Sequence, residues 1–238
     1  MALISCQHLT KEYAKGGNVI RPLDDLSLEV DQGMFLALMG PSGSGKTTLL
    51  NLIAAIDQPT SGTLIIDGQD MSALSRSALA AWRSRAIGYI FQLYNLVPVL
   101  TAYENVELPL LLHSLTAKER HERVAAALEL VNIDDRHDHY PRQLSGGQEQ
   151  RVAIARAIVT DPTIIVADEP TGDLDKPSAQ AIIDLLQQLN RELNKTLVIV
   201  THDPATARFA HKILRLEKGR LASADDPASS VGPPTLGE

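Results

Sequence analysis

Cysteine is almost absent: Cys6 is the only one in 238 residues. An internal disulfide is excluded, and the composition suits a reducing cytosol. Positive charge is also scarce. Lys and Arg number 22 against 29 Asp and Glu, a formal net charge of -7. That sign argues against a nucleic-acid partner, which calls for a basic face, and against direct adhesion to an anionic membrane. The opening stretch, MALISCQHLTKEY, lacks the basic-then-apolar pattern of a secretory signal. No continuous apolar run is long enough to cross a bilayer. The uncharged stretch from Ala86 to Tyr103 comes nearest, and Gly88, Gln92, Asn95 and Pro98 interrupt it. Internal repeats are missing, and His137 and His139 have no third ligand at a useful metal-binding spacing.

What remains is an ordinary globular composition, 44% hydrophobic and 21% charged, in a chain long enough to bury a large core as one domain or one domain with an insertion. Leu26 to Val30 alternates as a half-exposed strand should, and Asp31-Gln32-Gly33 turns the chain. Met34 to Met39 is a short apolar run that predicts a fully buried strand. After the glycine-rich GPSGSGKTT, Leu49, Leu52, Ile53 and Ile56 recur at helical spacing, and Thr63 to Ile66 with Asp67-Gly68 predicts a strand entering a tight turn. From about Ala102 to Val159 the pattern is helical. Thr101 and Glu104 form a capping box for a segment ending at Pro109, and Lys118 to Val131 carries Val124, Ala127, Leu128 and Val131 on one face. Strand patterns return at Thr163–Ala167 and Thr196–Thr201, with an amphipathic helix, Ala179 to Leu193, between them. Buried strands alternating with helices predict an α/β fold with a mainly parallel sheet covered on both faces and interrupted by a helical block. The closing stretch, rich in Pro, Ser, Gly and Asp, is expected to be disordered.

Four places carry chemistry. Gly40 to Thr47 fits G-x-x-x-x-G-K-[ST] between a buried strand and a helix, the context a phosphate cradle needs. Its glycines let backbone N–H groups converge on phosphate oxygens, Lys46 supplies a mobile charge, and the Thr47 hydroxyl can hold Mg²⁺. Asp168 and Glu169 end a buried strand, and at the carboxyl edge of a parallel sheet such a pair faces the ligand crevice. Asp168 is placed to orient Mg²⁺ or its water, and Glu169 to polarise an attacking water. His202 ends the next strand in the same way, as a γ-phosphate contact or a group orienting the base. A second helix start, Ser145-Gly146-Gly147-Gln148, has the capping box and exposed amides of an anion grip, so the chain carries two cradles.

Together GPSGSGKTT, Gln92, LSGGQ, the Asp168-Glu169 pair and His202 resemble the ATPase subunit of ABC transporters, over about residues 2–222. The resemblance implies a P-loop NTPase core with an N-terminal antiparallel β subdomain and a helical subdomain inserted at about 93–159, residues 223–238 being a disordered tail. It implies ATP and Mg²⁺ as cofactors. Gly40, Ser42, Gly43, Ser44, Gly45, Lys46, Thr47 and Thr48 would hold the nucleotide of one copy, and Ser145, Gly146, Gly147 and Gln148 that of a second copy facing it head to tail. Tyr13 matches the aromatic residue that stacks on adenine, although a lone tyrosine could equally be core. Glu169, His202 and Gln92 match catalytic positions, and Thr47, Gln92 and Asp168 the metal contacts. Gly172-Asp173-Leu174-Asp175 matches a dimer-contacting loop in which Asp173 departs from the small or amide residue expected. FQLYNLVPVLTAYENVELPLLL is similar to the branch with lipoprotein-releasing and macrolide- or peptide-exporting subunits. That implies a transmembrane permease as partner, no nucleic acid, and a peripheral place on the cytoplasmic side of the inner membrane, held through the permease only. Tyr94, Leu96, Val97 and Leu100 are candidate permease contacts or subdomain core. The competing expectations are a non-transporting ATPase that remodels an envelope complex, and a soluble ATPase of DNA repair or translation, which the acidic charge disfavours.

Overall fold

A computed structural model describes residues 2–222, so the stretch expected to be disordered, residues 223–238, lies outside the described residues. The chain opens with β1 (Ala2–Lys15) and β2 (Asn18–Asp31). Along β2, Leu26, Leu28 and Val30 are buried while Ser27 and Glu29 face water, as the alternation predicts. The buried strand β3 (Phe35–Met39) leads into α1 (Lys46–Ile53), followed by β4 (Ser61–Ile66) and β5 (Gln69–Asp70). Asp67 and Gly68, with φ of 51° and 74°, make the β4–β5 turn. One expectation fails here: α1 stops before Ile56, which is exposed. The N–H groups of Ile56 and Asp57 both turn back onto the Asn51 carbonyl, and Ala55 takes a left-handed φ of 52°, so the helical register is lost.

Next come α2 (Arg76–Ala86) and β6 (Ile87–Ile90). The helical stretch contains α3 (Ala102–Glu107), a 3₁₀ turn over Leu108–Leu112, α4 (Ala117–Leu130) and α5 (Gly146–Ile158). The chain returns through β7 (Ile164–Asp168), α6 (Lys176–Leu193), β8 (Thr196–Val200), α7 (Pro204–Ala207), β9 (Lys212–Glu217) and β10 (Arg220–Leu221).

Two sheets result. An antiparallel one has the order β2-β1-β4-β5, and a second has the order β10-β9-β3-β8-β7-β6, parallel except at β10. The central strands of the second sheet, β3, β8 and β7, are buried on both faces. Phe35, Ala37, Ile165, Ala167, Leu197 and Ile199 join the core under α3–α6, while Leu36, Leu38, Ile164, Val166, Val198 and Val200 join the core shared with α1 and the antiparallel sheet. Each such aliphatic side chain contributes roughly 1.5–3 kcal/mol by leaving water, which leaves no room for charge inside the strands. Carboxylates begin only where β7 runs out of core, at Asp168 and Glu169. Because β3, β8, β7 and β6 are successive neighbours, the segments after them line one edge.

Candidate functional site

The loop between β3 and α1 forms the floor of a cleft of ≈ 610 Å³, within the roughly 300–1,000 Å³ usual for ligand sites. Gly45, at φ 104°, opens α1 with no side chain capping its first amides, which leaves them for an anion. Lys46 is buried, and its Nζ donates to the carbonyls of Gly40 at 2.8 Å and Pro41 at 2.9 Å, so the ammonium braces the loop that surrounds it. Beneath the loop the Ser44 hydroxyl is buried without a hydrogen-bond partner among the described residues, an unmet polar group of the kind a phosphate oxygen satisfies.

At the far end Thr47 and Asp168 line the cleft together. Burial raises the Asp168 carboxyl above its ordinary range, the neighbouring Glu169 adds to the rise, and the Thr47 hydroxyl and Lys46 oppose it. Glu169 has a left-handed φ of 50° and donates its N–H to the Val200 carbonyl at 2.9 Å, pinning it across β8. Its Oε1 lies 2.9 Å from His202 Nδ1, and its Oε2 accepts from the His202 backbone N–H at 3.4 Å. That hydrogen bond, with the carboxylate charge, raises the His202 pKa. The next residue, Asp203, caps the turn that follows, accepting from the N–H groups of Ala205 and Thr206 and from the Thr206 hydroxyl. Gln92, just after β6, completes this end of the lining.

The opposite end is apolar. Tyr13 lines it with Ile20 and Pro22, which sequence reasoning missed. The signal was present in the Gly16-Gly17 turn, because a hairpin closing there pairs Tyr13 with Ile20 on one face. Thr48 also lines the cleft.

The cleft therefore gathers Tyr13, the Gly40–Thr48 loop, Gln92, Asp168, Glu169 and His202. Ser145, Gly146, Gly147 and Gln148 are not part of it. They start α5 with the expected capping box, the Ser145 N–H donating to Gln148 Oε1 at 2.8 Å and the Gln148 N–H to Ser145 Oγ at 3.3 Å. Part of the demand for two glycines comes from within the chain. A β-carbon at Gly146 would stand 2.9 Å from the Tyr94 hydroxyl, and one at Gly147 3.1 Å from Ser178 Oγ. Asp173 is exposed on the segment following Gly172, and its charge, with that of Glu149, adds to burial in raising the Tyr94 phenol.

A second, apolar groove of ≈ 350 Å³ runs beside β6, walled by Ile56, Arg83, Tyr89, Phe91, Leu112 and Arg156. Of the residues after Gln92 weighed as permease contacts or subdomain core, Tyr94, Leu96, Val97 and Leu100 are all partly buried, Leu96 against the core. Leu93 and Val99, at 71% and 77% exposure, are the open ones. The cause is local. Tyr94 and Asn95 are both left-handed, and Arg156 on α5 donates to their two carbonyls at 2.6 Å, folding the segment inward.

A phosphate cradle on a parallel sheet, with a carboxylate pair and a histidine on the neighbouring strand ends, defines a P-loop nucleotide hydrolase. The particular family follows from comparison. A model of the ABC transporter family matches residues 23–172. The lipoprotein-releasing system ATP-binding protein LolD of Bordetella avium is 43% identical over 92% of this chain and 96% of that protein. The macrolide export ATP-binding/permease protein MacB 1/2 of Paracoccus denitrificans is 44% identical over 97% of this chain but 35% of that protein, so the chain spans about a third of it. Among solved structures, the dimeric ATP-binding cassette MJ0796 bound to ADP and Pi has a TM-score of 0.86 at 42% identity, covering 92% of this chain and 97% of that one; MJ0796 comes from Methanocaldococcus jannaschii. The chain belongs to the ABC transporter family, as its ATP-binding and ATP-hydrolysing component.

Proposed function

We propose that two copies of this chain close head to tail on ATP, hydrolyse it at shared sites, and drive a membrane permease of the lipoprotein-release or macrolide-export kind. The observation that carries the reading is the separation of the two cradles. The cleft has a complete binding loop and a hydrolytic end, while the capped, glycine-tight start of α5 stands outside it. An anion grip with no anion to hold in its own cleft is explained if it meets the triphosphate of another copy. ATP then bridges the copies, and loss of the γ-phosphate removes the bridge.

Within each site the amides from Gly43 to Thr48 and the Lys46 ammonium hold the phosphates, Lys46 leaving the Gly40 and Pro41 carbonyls to do so. Oxygen donors suit Mg²⁺, and Thr47, Asp168 and Gln92, which line the cleft together, are such a set. Bound there, Mg²⁺ would neutralise charge on the outer phosphates. Glu169 accepts a proton from the attacking water, and His202 keeps its carboxylate oriented. Products are ADP and inorganic phosphate. The apolar groove beside β6, adjoining Gln92, is the surface offered to the permease. Among the described residues no helix is long and apolar enough to cross a membrane, so membrane attachment on the cytoplasmic side through that partner fits.

Glu169→Gln tests the mechanism. It should retain ATP binding, slow turnover by about 10²–10⁴-fold, the usual worth of a positioned base, and elute as a dimer on size exclusion with ATP. Unchanged turnover would move the base elsewhere, and a monomer at saturating ATP would remove the shared site.

A further inference from the structure

Tyr13 faces the cleft, yet its ring is held by groups that do not line it. The phenol donates to Asp57 Oδ2 at 2.7 Å. Asp57 Oδ1 accepts from Lys11 Nζ at 2.6 Å and from the Gln58 backbone N–H at 2.8 Å. Lys11 is buried at 9% exposure, donates also to the Gln58 carbonyl at 2.7 Å, and stands over the Tyr13 ring 4.9 Å from its centroid. Asp57 follows the turn that ends α1, so this support is anchored to the same helix that begins at the phosphate cradle.

We propose that Asp57 and Lys11 are positioning residues for the nucleotide base: they fix the Tyr13 ring, beside Ile20, as a platform already set before ATP arrives. The inference rests on the reading of Tyr13 as the base contact. A tyrosine at 40% exposure on a hairpin edge would otherwise lose rotamer freedom on binding, a cost that a preset ring avoids. Lys11 covers one ring face, which leaves the other for a flat base. It also neutralises Asp57, so the support adds no net charge near the triphosphate. Burial works to raise the Asp57 carboxyl, but the bonds from Lys11, Tyr13 and the Gln58 N–H outweigh it and hold it below its ordinary range. The Tyr13 phenol is pushed up to about 12 by burial and by Asp57. The donor stays protonated and the acceptor ionised over the whole neutral range.

Calorimetric titration of ATP and of inorganic tripolyphosphate, in the full chain carrying Glu169→Gln so that ATP persists, tests this. Tyr13→Phe keeps the ring and leaves the Lys11–Asp57 pair intact. It should raise the ATP Kd about three- to tenfold, the worth of one hydrogen bond, and leave tripolyphosphate unchanged. Asp57→Ala, which removes the acceptor, should weaken ATP at least as much, and the double variant should be no weaker than Asp57→Ala alone, because Tyr13→Phe then has no bond left to remove. Wild-type ATP affinity in Tyr13→Phe, additive losses, or an equal loss with tripolyphosphate would each overturn the positioning role. Tyr13→Ala separates the two readings: ATP affinity unaltered there removes the base contact itself, whereas weakening in Tyr13→Ala but not in Tyr13→Phe removes only the role of Asp57 and Lys11.

Discussion

His202 sits at the mouth of the cleft with its imidazole largely in water and Glu169 as its partner. The hydrogen bond raises its pKa in the folded chain. Stabilisation from this pair is therefore complete below the unfolded value of about 6.5 and is lost as pH rises through the raised folded value. Exposure makes the energy small, but the titration is readable. In an NMR titration His202 should protonate at higher pH than an unpaired histidine, and Glu169→Gln should abolish the difference; a midpoint indifferent to that substitution would mean that the pair does not form in solution. Lys46, Asp168, Glu169 and His202 could be found in the sequence because motif and strand end fall together. Asp57 and Lys11 could not, since their roles arise from β1 and the end of α1 meeting in space. The present contact of Lys46 with its own loop carbonyls was equally invisible, because it depends on loop shape and not on residue type.

Among the elements, the segment after Gln92 is held by one residue of α3. Asn105 is fully buried; its Oδ1 accepts from the Val97 N–H at 2.7 Å, and its Nδ2 donates to the carbonyls of Val97, Leu100 and Thr101 at 2.9–3.1 Å. Asn105→Ala would strand those backbone groups in a place water does not reach. Urea denaturation should show a loss of about 1–3 kcal/mol, and no loss would mean that the loop re-pairs elsewhere. Nothing in the sequence marks Asn105, since an asparagine inside a short helix usually points outward. Its neighbours were easier: the capping box of Thr101 and Glu104 is present as the pattern predicts. Helix α4 starts one residue before the expected Lys118, because Thr116 and Glu119 form a further box that hydrophobic periodicity does not see.

For the molecule as a whole, strand order was legible only as a class. Continuous apolar runs predict strands buried on both faces, but local pattern says nothing about which strand lies beside which, and the order β3-β8-β7-β6 is what brings the site together. Dividing the site between copies has a direct test. A Lys46→Ala chain and a Ser145→Ala/Gly147→Glu chain should each have little ATPase activity. Mixed, they should regain some, because pairing places the intact loop of one against the intact helix start of the other. Continued inactivity at every mixing ratio would mean that the cradles do not serve a common nucleotide.

The Ser145 end of α5 is capped by its own side chains and hemmed in by Tyr94 and Ser178 in a single copy. Its shape is thus present before any encounter, and association has no segment to fold there. The entropy lost at that surface is chiefly that of two bodies giving up independent tumbling and drift, so the speed of meeting should follow diffusion and charge and carry little of the lag that ordering a floppy loop imposes.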